Sequence, residues 1–295
     1  MSIQIERVSD DIYVFTSDLY AQVTAGAVIS PHGSALIDTL AFPSETRQIK
    51  SFIENTLASK VRYIINTHYH ADHVYGNYLF PEAQVISHDL CRQYMLERVL
   101  PQLSASKKET PEIREVEIVL PSITFDDGGF LLQVGNKTLV VNHAPGHTRD
   151  QVTVLVREEK VLFASDAVMP LPFFMDGSAD DTYKTLNNIK GIELENIVQG
   201  HGEVILRGEI AAALDSRISY IEQARKLVAQ VIKRNRPVTA LQKLTLESME
   251  RSNIELAGLV EALHMRNLEF LYHTLQKELA PWPSARRKYE GDLND

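Results

Sequence analysis

Three histidines and an aspartate fall within six consecutive positions, His68-Tyr69-His70-Ala71-Asp72-His73, directly after the β-branched run VRYIINT. A run of that composition reads as a strand covered on both faces. A strand entering at Ile64-Ile65 and a loop leaving Thr67 aim alternate side chains, His68 and His70, into one cavity, while Asp72 and His73 turn toward a neighbouring point. So many coordinating groups in so short a segment are out of keeping with a plain polar turn. Imidazole nitrogen and carboxylate oxygen suit zinc, and also iron or manganese, so the donors do not choose a metal by chemistry alone. The chain has one cysteine, Cys91, which excludes an internal disulfide and a thiolate site. Within the helical-looking HDLCRQYML it reads as a small buried filler.

Three more candidates lie far along the chain at expected strand ends. His147 sits in APGHT after TLVVNH, Asp166 ends VLFAS, and His201 follows NIV in QGHG. A buried Asp or His without a partner carries a large desolvation cost, which one shared metal site removes for all of them together. Each alone is a weak signal; their joint placement is the argument.

The order of elements is strand-rich, then helical. IQIERV, DIYVFT, AGAVIS and SALIDT read as strands, a helix opens after Pro43-Ser44 with Ile49, Ile53 and Leu57 on one face, and VRYIINT follows. After the histidine-rich loop come a short strand over residues 84–87 and a helix over about 88–103. The polar, proline-containing stretch 104–113 reads as a loop or flap. Strands resume at EVEIVLP, ITFDD, FLLQV, TLVVNHA, QVTVLV and VLFASDA, with Asp127-Gly128-Gly129 and Gly135-Asn136 as turns. This order predicts two sheets, or one mixed sheet, with helices outside. Residues 209–234 and about 253–277 carry long apolar stripes that must pair with each other, with the main domain or with another subunit. The expected division is a catalytic domain over 1–206 and a helical extension over 207–295 with some prospect of homodimerisation, its tail RRKYEGDLND frayed.

Composition narrows the function classes. With 30 Lys plus Arg against 39 Asp plus Glu, the net charge of −9 repels a phosphate backbone, so no nucleic-acid partner is expected. The amino-terminal stretch MSIQIERVSDDIYVF has no basic segment followed by an apolar run, and no apolar stretch approaches the roughly 20 residues that span a bilayer. The expected location is cytoplasmic, with no membrane partner.

At this point the chain resembles the metallo-β-lactamase fold superfamily. The resemblance covers about residues 10–205 and rests on Asp38 at the end of SALIDT, THYHADH, PGHT, FASDAV and GHG, in the family's order. It implies a four-layer αββα sandwich, an α/β fold with the metals in a cleft at one edge of the sheets, here carrying a C-terminal helical appendage. One metal would take His68, His70 and His147, the other Asp72, His73 and His201, with Asp166 bridging. Asp38 would sit behind the ligands, holding a histidine or the signature loop; taken alone it could merely cap a turn. True β-lactamases of this fold generally carry cysteine or serine where this chain has Asp166, whereas thioesterases, lactonases and phosphodiesterases carry aspartate.

The expectation is therefore a hydrolase of small-molecule esters, thioesters or lactones, with weak β-lactam turnover included, using two divalent ions, zinc first. Two metals about 3.5–4 Å apart would share and activate a water, with Asp72 orienting it as well as ligating. The alternatives are a phosphodiesterase or ribonuclease on the same metals and a mononuclear iron dioxygenase of sulfur compounds. A structural metal in a non-enzymatic module fits less well, because four ligands would suffice for it. Tyr183, in DDTYKTL, reads either as a substrate contact or as packing. Phe173, Phe174 and Met175 form a pocket wall or simply bury their loop. His143 would support the ligands from behind.

Overall fold

In the computed structural model, which describes residues 3–126, 128–251 and 258–279, two mixed β-sheets stack face to face with helices on both outer surfaces. The first sheet runs in order β1 (Ile3–Ser9), β2 (Ile12–Ser17), β3 (Thr24–Val28), β4 (Ser34–Ile37), β5 (Val61–Ile65), β6 (Gln84–His88) and β7 (Ile123–Phe125). The second contains β8 (Phe130–Val134), β9 (Lys137–His143), β10 (Val152–Val156), β11 (Val161–Ser165), β12 (Asn196–Gln199) and β13 (Ile205–Leu206), also in chain order across the sheet. Pairing is antiparallel except where helical crossovers intervene: β4 to β7 are parallel to one another, as are β11 and β12.

The period-2 pattern of the strands decides which side chains meet. On β4, Ala35 and Ile37 enter the layer between the sheets while Leu36 faces the outer helix; on β11, Val161 and Phe163 face inward while Leu162 and Ala164 face outward. Helix α1 (Pro43–Ser51), continued by a π-helical turn over Phe52–Thr56, lays Ile49 and Ile53 against Leu36 and Ile64. Full burial of each such side chain contributes about 1.5–3 kcal/mol. At Gly26 the sheets approach so closely that a Cβ would stand 2.0 Å from the Phe163 ring.

A single-turn helix α2 (Ala71–Val74) closes the histidine-rich loop, and α3 (Asp89–Tyr94), a π-helical segment over Met95–Val99 and α4 (Leu100–Glu109) follow β6. Here the structure corrects the expected loop over 104–113. Pro101 in the first turn and Lys107 and Lys108 in the last suit a helix, and the helix runs to Glu109, just before the short 3₁₀ turn at Pro111. The expected strand in EVEIVLP is likewise absent, leaving chain without regular secondary structure that leads to β7.

Helices α5 (Ala179–Lys190), α6 (Ile210–Lys233) and α7 (Val260–Leu279) cover the second sheet. Their stripes do not form a separate core: Leu214, Ile218, Ile221, Leu268 and Leu271 pack in one cluster with Leu162, Ile197 and Leu186. The beginning of the expected helix at Asn253, Asp127 of the expected turn, and the carboxy-terminal tail lie outside the described residues. No helix among the described residues is long and apolar enough to cross a membrane.

Candidate metal centre

Asp38, the His68 loop, Asp166 and His201 follow the carboxyl ends of the parallel strands β4, β5, β11 and β12, where ligands of such sheets collect. Two sets of hydrogen bonds lock the sheets together at that edge. The Thr24 amide donates to the Gly200 carbonyl and the Gly202 amide to Gln22, while the Val152 amide donates to Thr67 at 2.8 Å. The chain leaves β4 and β11 through left-handed conformations at Asp38 (φ 59°) and Ser165 (φ 46°), which non-glycine residues adopt at some cost and which cluster at functional sites. Gly200 has no freedom to change, since a Cβ there would fall 1.8 Å from Asp166 Oδ1.

Around this edge the donor atoms fall into two groups. His68 Nε2 and His147 Nε2 each lie 3.0 Å from His70 Nδ1, and Asp166 Oδ2 is 3.3 Å from His147 Nε2 and 3.9 Å from His68 Nε2. Asp72 Oδ2 is 3.7 Å from His73 Nε2 and 3.6 Å from His201 Nε2. Asp166 reaches this second group as well, its Oδ1 3.3 Å from His73 Nε2 and its Oδ2 3.5 Å from His201 Nε2. Ligand atoms about 2.0–2.1 Å from a tetrahedral zinc stand roughly 3.3 Å apart, so both groups have the span that a cation requires.

The outer nitrogens explain why the inner ones need a cation. His68 Nδ1 donates to Thr67 Oγ1 (3.1 Å), His70 Nε2 to Asp176 Oδ2 (3.1 Å), His73 Nδ1 to Asp38 Oδ2 (2.9 Å), His147 Nδ1 to the Phe173 carbonyl (2.7 Å) and His201 Nδ1 to the Ala21 carbonyl (2.9 Å). When each ring is neutral its proton is spent outward and the five inner nitrogens point at one another, an arrangement that repels unless positive charge, a proton or a cation, lies between them. His73 Nε2 and Asp166 Oδ1 are buried with no hydrogen-bond partner, which a ligand role accounts for. The residues therefore form a dinuclear site of His and Asp donors.

Proton affinities in the cation-free protein follow the same geometry. Burial, reinforced by neighbouring imidazoles, holds His68 well below its ordinary range, and burial lowers His147 to about 4. Burial opposes charge on His73 and His201 too, but Asp72 and Asp166, with Asp38 beside His73, outweigh it and raise both. Burial alone would raise Asp166; His201, His73 and His147 hold its carboxyl well below the usual range.

Asp38 also accepts from the Thr67 amide (2.8 Å) and hydroxyl (2.7 Å), so one carboxylate fixes both the start of the loop and the ring of His73. His143 lies farther back, stacked on His88 with ring centres 4.2 Å apart and bonded to the Arg149 carbonyl. A cavity of about 520 Å³ opens over the donors. Phe173 lines it, whereas Phe174 is fully buried against Phe270 and Met175 is exposed elsewhere, because successive residues of the extended loop face different ways. Tyr183 does not reach the cavity: it lies on the outer helix α5 and its hydroxyl bonds to Glu222 of α6. The tyrosines that line the cavity are Tyr20, Tyr69 and Tyr75.

Several supporting residues escaped the sequence reading. Asp176 turns the outer nitrogen of His70, and its own carboxyl is pulled down chiefly by that hydrogen bond. Arg217 of α6, buried, donates to the Met169 carbonyl (2.6 Å) and to Gln199 Oε1 (2.8 Å), bracing the segments after Asp166 and before His201. Asn267 of α7 donates to the Pro172 carbonyl (2.6 Å), steadying the loop whose next carbonyl holds His147.

Comparison with known proteins agrees with this geometry. The family model of the metallo-beta-lactamase superfamily matches residues 20–225. A beta-lactamase-like protein 2 homolog of Caenorhabditis elegans is 25% identical over 209 residues, 70% of this chain and 64% of that protein, so the match spans slightly less than two thirds of its length. A hydroxyacylglutathione hydrolase of Pelagibacter ubique is 23% identical over 66% of this chain and 74% of its own. Among solved structures, a metallo-beta-lactamase from Pontibacter korlensis superposes with a TM-score of 0.60 at 19% identity, covering 72% of this chain and 97% of that one, a likeness of fold. With its seven donors gathered at the joined edge of two sheets, and with the family model spanning most of its length, the chain belongs to the metallo-beta-lactamase superfamily.

Proposed function

We propose that the protein hydrolyses an ester, thioester or lactone of a small molecule, with two zinc ions held by His68, His70 and His147 on one side, Asp72, His73 and His201 on the other, and Asp166 between them. The single observation that carries this reading is the position of Asp166, whose carboxylate lies within 3.5 Å of His147, His73 and His201 at once. When bound, two divalent cations supply an activated water and Lewis-acid stabilisation of developing negative charge.

The chain's own groups arrange the rest. Asp72, less buried than the other donors of its group, faces the cavity and is placed to orient the attacking water. Tyr20 and Tyr69 remain protonated donors at neutral pH, each pushed up to about 12: Tyr20 first by the charge of Asp72, Tyr69 first by burial. Tyr20 lines the cavity, whereas the Tyr69 hydroxyl there already accepts from Arg98 at 2.9 Å, so Tyr20 is the candidate to hydrogen-bond an oxyanion. The apolar side chains of Val99, Met169 and Phe173 in the same cavity favour an acyl substrate over a purely phosphate one. The hydroxyacylglutathione hydrolase among the relatives supports a thioester in particular.

A hydrolysis panel of thioesters, lactones, β-lactams and phosphodiesters, run with the native metal retained and with Asp166→Ala as control, tests the reading. Turnover of at least one acyl substrate, abolished in the variant, is expected; turnover of phosphodiesters alone overturns it.

A further inference from the structure

We infer that Glu45, a buried carboxylate outside the cavity wall, is a positioning residue: acting through Ser17, it sets the turn that brings Tyr20 to the cavity and holds the metal donor His201. The Tyr20 part rests on the hydrolase reading; the His201 part stands on the metal centre alone.

Glu45 is fully buried in the first turn of α1. No basic side chain pairs with it among the described residues, and burial raises its carboxyl. An ionised carboxylate so placed is costly unless hydrogen bonds hold it. Its side-chain partner is a single hydroxyl: Ser17 Oγ, itself fully buried, stands 2.9 Å from both Oε1 and Oε2. The amides of Asp18 and Leu19 and the start of the helix add favourable charge. Packing alone does not require a carboxylate at this place.

What the carboxylate does follows from the hydrogen-bonding capacity of a hydroxyl. Serine offers one proton and two lone pairs. An ionised carboxylate can only accept, so Ser17 gives it the proton, and the lone pairs are left for the amides of Leu19 (3.1 Å) and Tyr20 (2.9 Å). Those two bonds bend the chain into a turn at the end of β2. Ala21 (φ 46°) and Gln22 (φ 51°) follow in the left-handed region, which non-glycine residues keep only where their surroundings hold them. The turn closes with the Val23 amide on the Tyr20 carbonyl and the Ser17 amide on the Val23 carbonyl, both at 2.9 Å.

The far side of the turn faces the metal centre. The Ala21 carbonyl accepts from His201 Nδ1 and the Gln22 carbonyl from the Gly202 amide, each at 2.9 Å. Tyr20 lines the cavity, and its ring meets that of Phe42, the residue before α1, edge to face with centres 6.4 Å apart. The start of α1 therefore fixes Tyr20 twice, by its ring and by its amide, and fixes His201 through the carbonyl that follows. In Glu45→Gln the side-chain amide can donate to Ser17 Oγ, and that hydroxyl then loses a lone pair that the turn uses.

The test follows hydrolysis of the pentanoyl thioester of N-acetylcysteamine at saturating zinc by the wild type, Glu45→Gln, Tyr20→Phe and the double variant. Glu45→Gln is expected to lower kcat about tenfold while KM changes by less than about twofold. In the Tyr20→Phe background the same change should cost less than about twofold, since the group through which it acts is gone. Competition with a chromophoric chelator should show one of the two zinc ions held about tenfold more weakly in Glu45→Gln than in the wild type. A kcat loss of equal size in both backgrounds, or two ions held as tightly as in the wild type, overturns the inference. If Glu45→Gln does not fold, Ser17→Ala takes its place with the same expectations. If the wild type leaves the ester intact, the hydrolase reading is what fails for thioesters, and zinc affinity decides the positioning role: a weakened ion supports it and unchanged affinity overturns it.

Discussion

His73 Nε2 and Asp166 Oδ1 stand 3.3 Å apart in the protein interior, and neither atom has a hydrogen-bond partner. The two come from different sheets, His73 from the loop after β5 and Asp166 from the end of β11. Left to themselves they would exchange a proton; placed around a cation they need none. Replacing Asp166 with alanine should therefore lower the metal content from two ions per chain to one or fewer and reduce turnover by roughly 100-fold or more. Elemental analysis paired with steady-state rates checks this, and retention of both ions contradicts it.

Asp38 serves both the loop and the ligand. An Asp38→Ala change leaves the Thr67 amide, the Thr67 hydroxyl and His73 Nδ1 without their acceptor, in a fully buried setting. We expect a stability loss of about 2–4 kcal/mol and a drop in metal affinity of about 10–100-fold. Thermal unfolding and competition with a chromophoric chelator measure the two separately.

The proton affinities give a sign for the pH dependence of metal binding. His73 and His201 are raised in the cation-free protein, by Asp72 and Asp166 acting against burial, so they keep protons at pH values where a free imidazole has lost them. A cation must displace those protons. Metal uptake at about pH 7 should release roughly one proton or more per chain, and apparent affinity should rise with pH. Calorimetry in buffers of different ionisation enthalpy reads the release directly; an enthalpy independent of buffer rejects it.

Arg217 links the carboxy-terminal helices to the centre. Its guanidinium holds Met169, Ala213 and Gln199 with no carboxylate partner among the described residues, and burial lowers its pKa to about 10. Arg217→Met should cost about 2–3 kcal/mol through the acceptors it abandons and should loosen the segment that carries His201. Hydrogen exchange is expected to quicken at Gln199–His201 before it does in β4 or β5.

Tyr183 provides the opposite expectation. Its hydroxyl meets Glu222 at the surface, so Tyr183→Phe should change kcat/KM less than twofold and stability by no more than about 0.5 kcal/mol. A Tyr20→Phe variant, by contrast, should lose roughly tenfold in kcat if its phenol serves an oxyanion.

These contrasts show what a sequence can and cannot make legible here. THYHADH is local, and the strand before it announces itself through β-branched residues, so its four donors could be placed together at once. His147, Asp166 and His201 were readable because each follows a strand, and strand ends of such sheets converge. Asp176, Arg217 and Asn267 follow no pattern of that kind: one lies in an irregular loop and two on amphipathic helices, and each acts through hydrogen bonds to segments distant in sequence. The wall of the cavity was harder still. The adjacent Phe173 and Phe174 look equivalent in sequence, yet loop geometry sends one to the cavity and the other to the Phe270 ring. The second half of α4, residues 104–109, reads as a loop for the opposite reason, since polar residues with good helix propensity resemble a loop when no apolar stripe marks them.

The most direct measurement is metal stoichiometry on gently purified protein, by mass spectrometry of the elements alongside native mass spectrometry of the chain. The account predicts two divalent ions per chain, zinc foremost, falling together with activity in Asp166→Ala. One iron per chain and no second ion would contradict it.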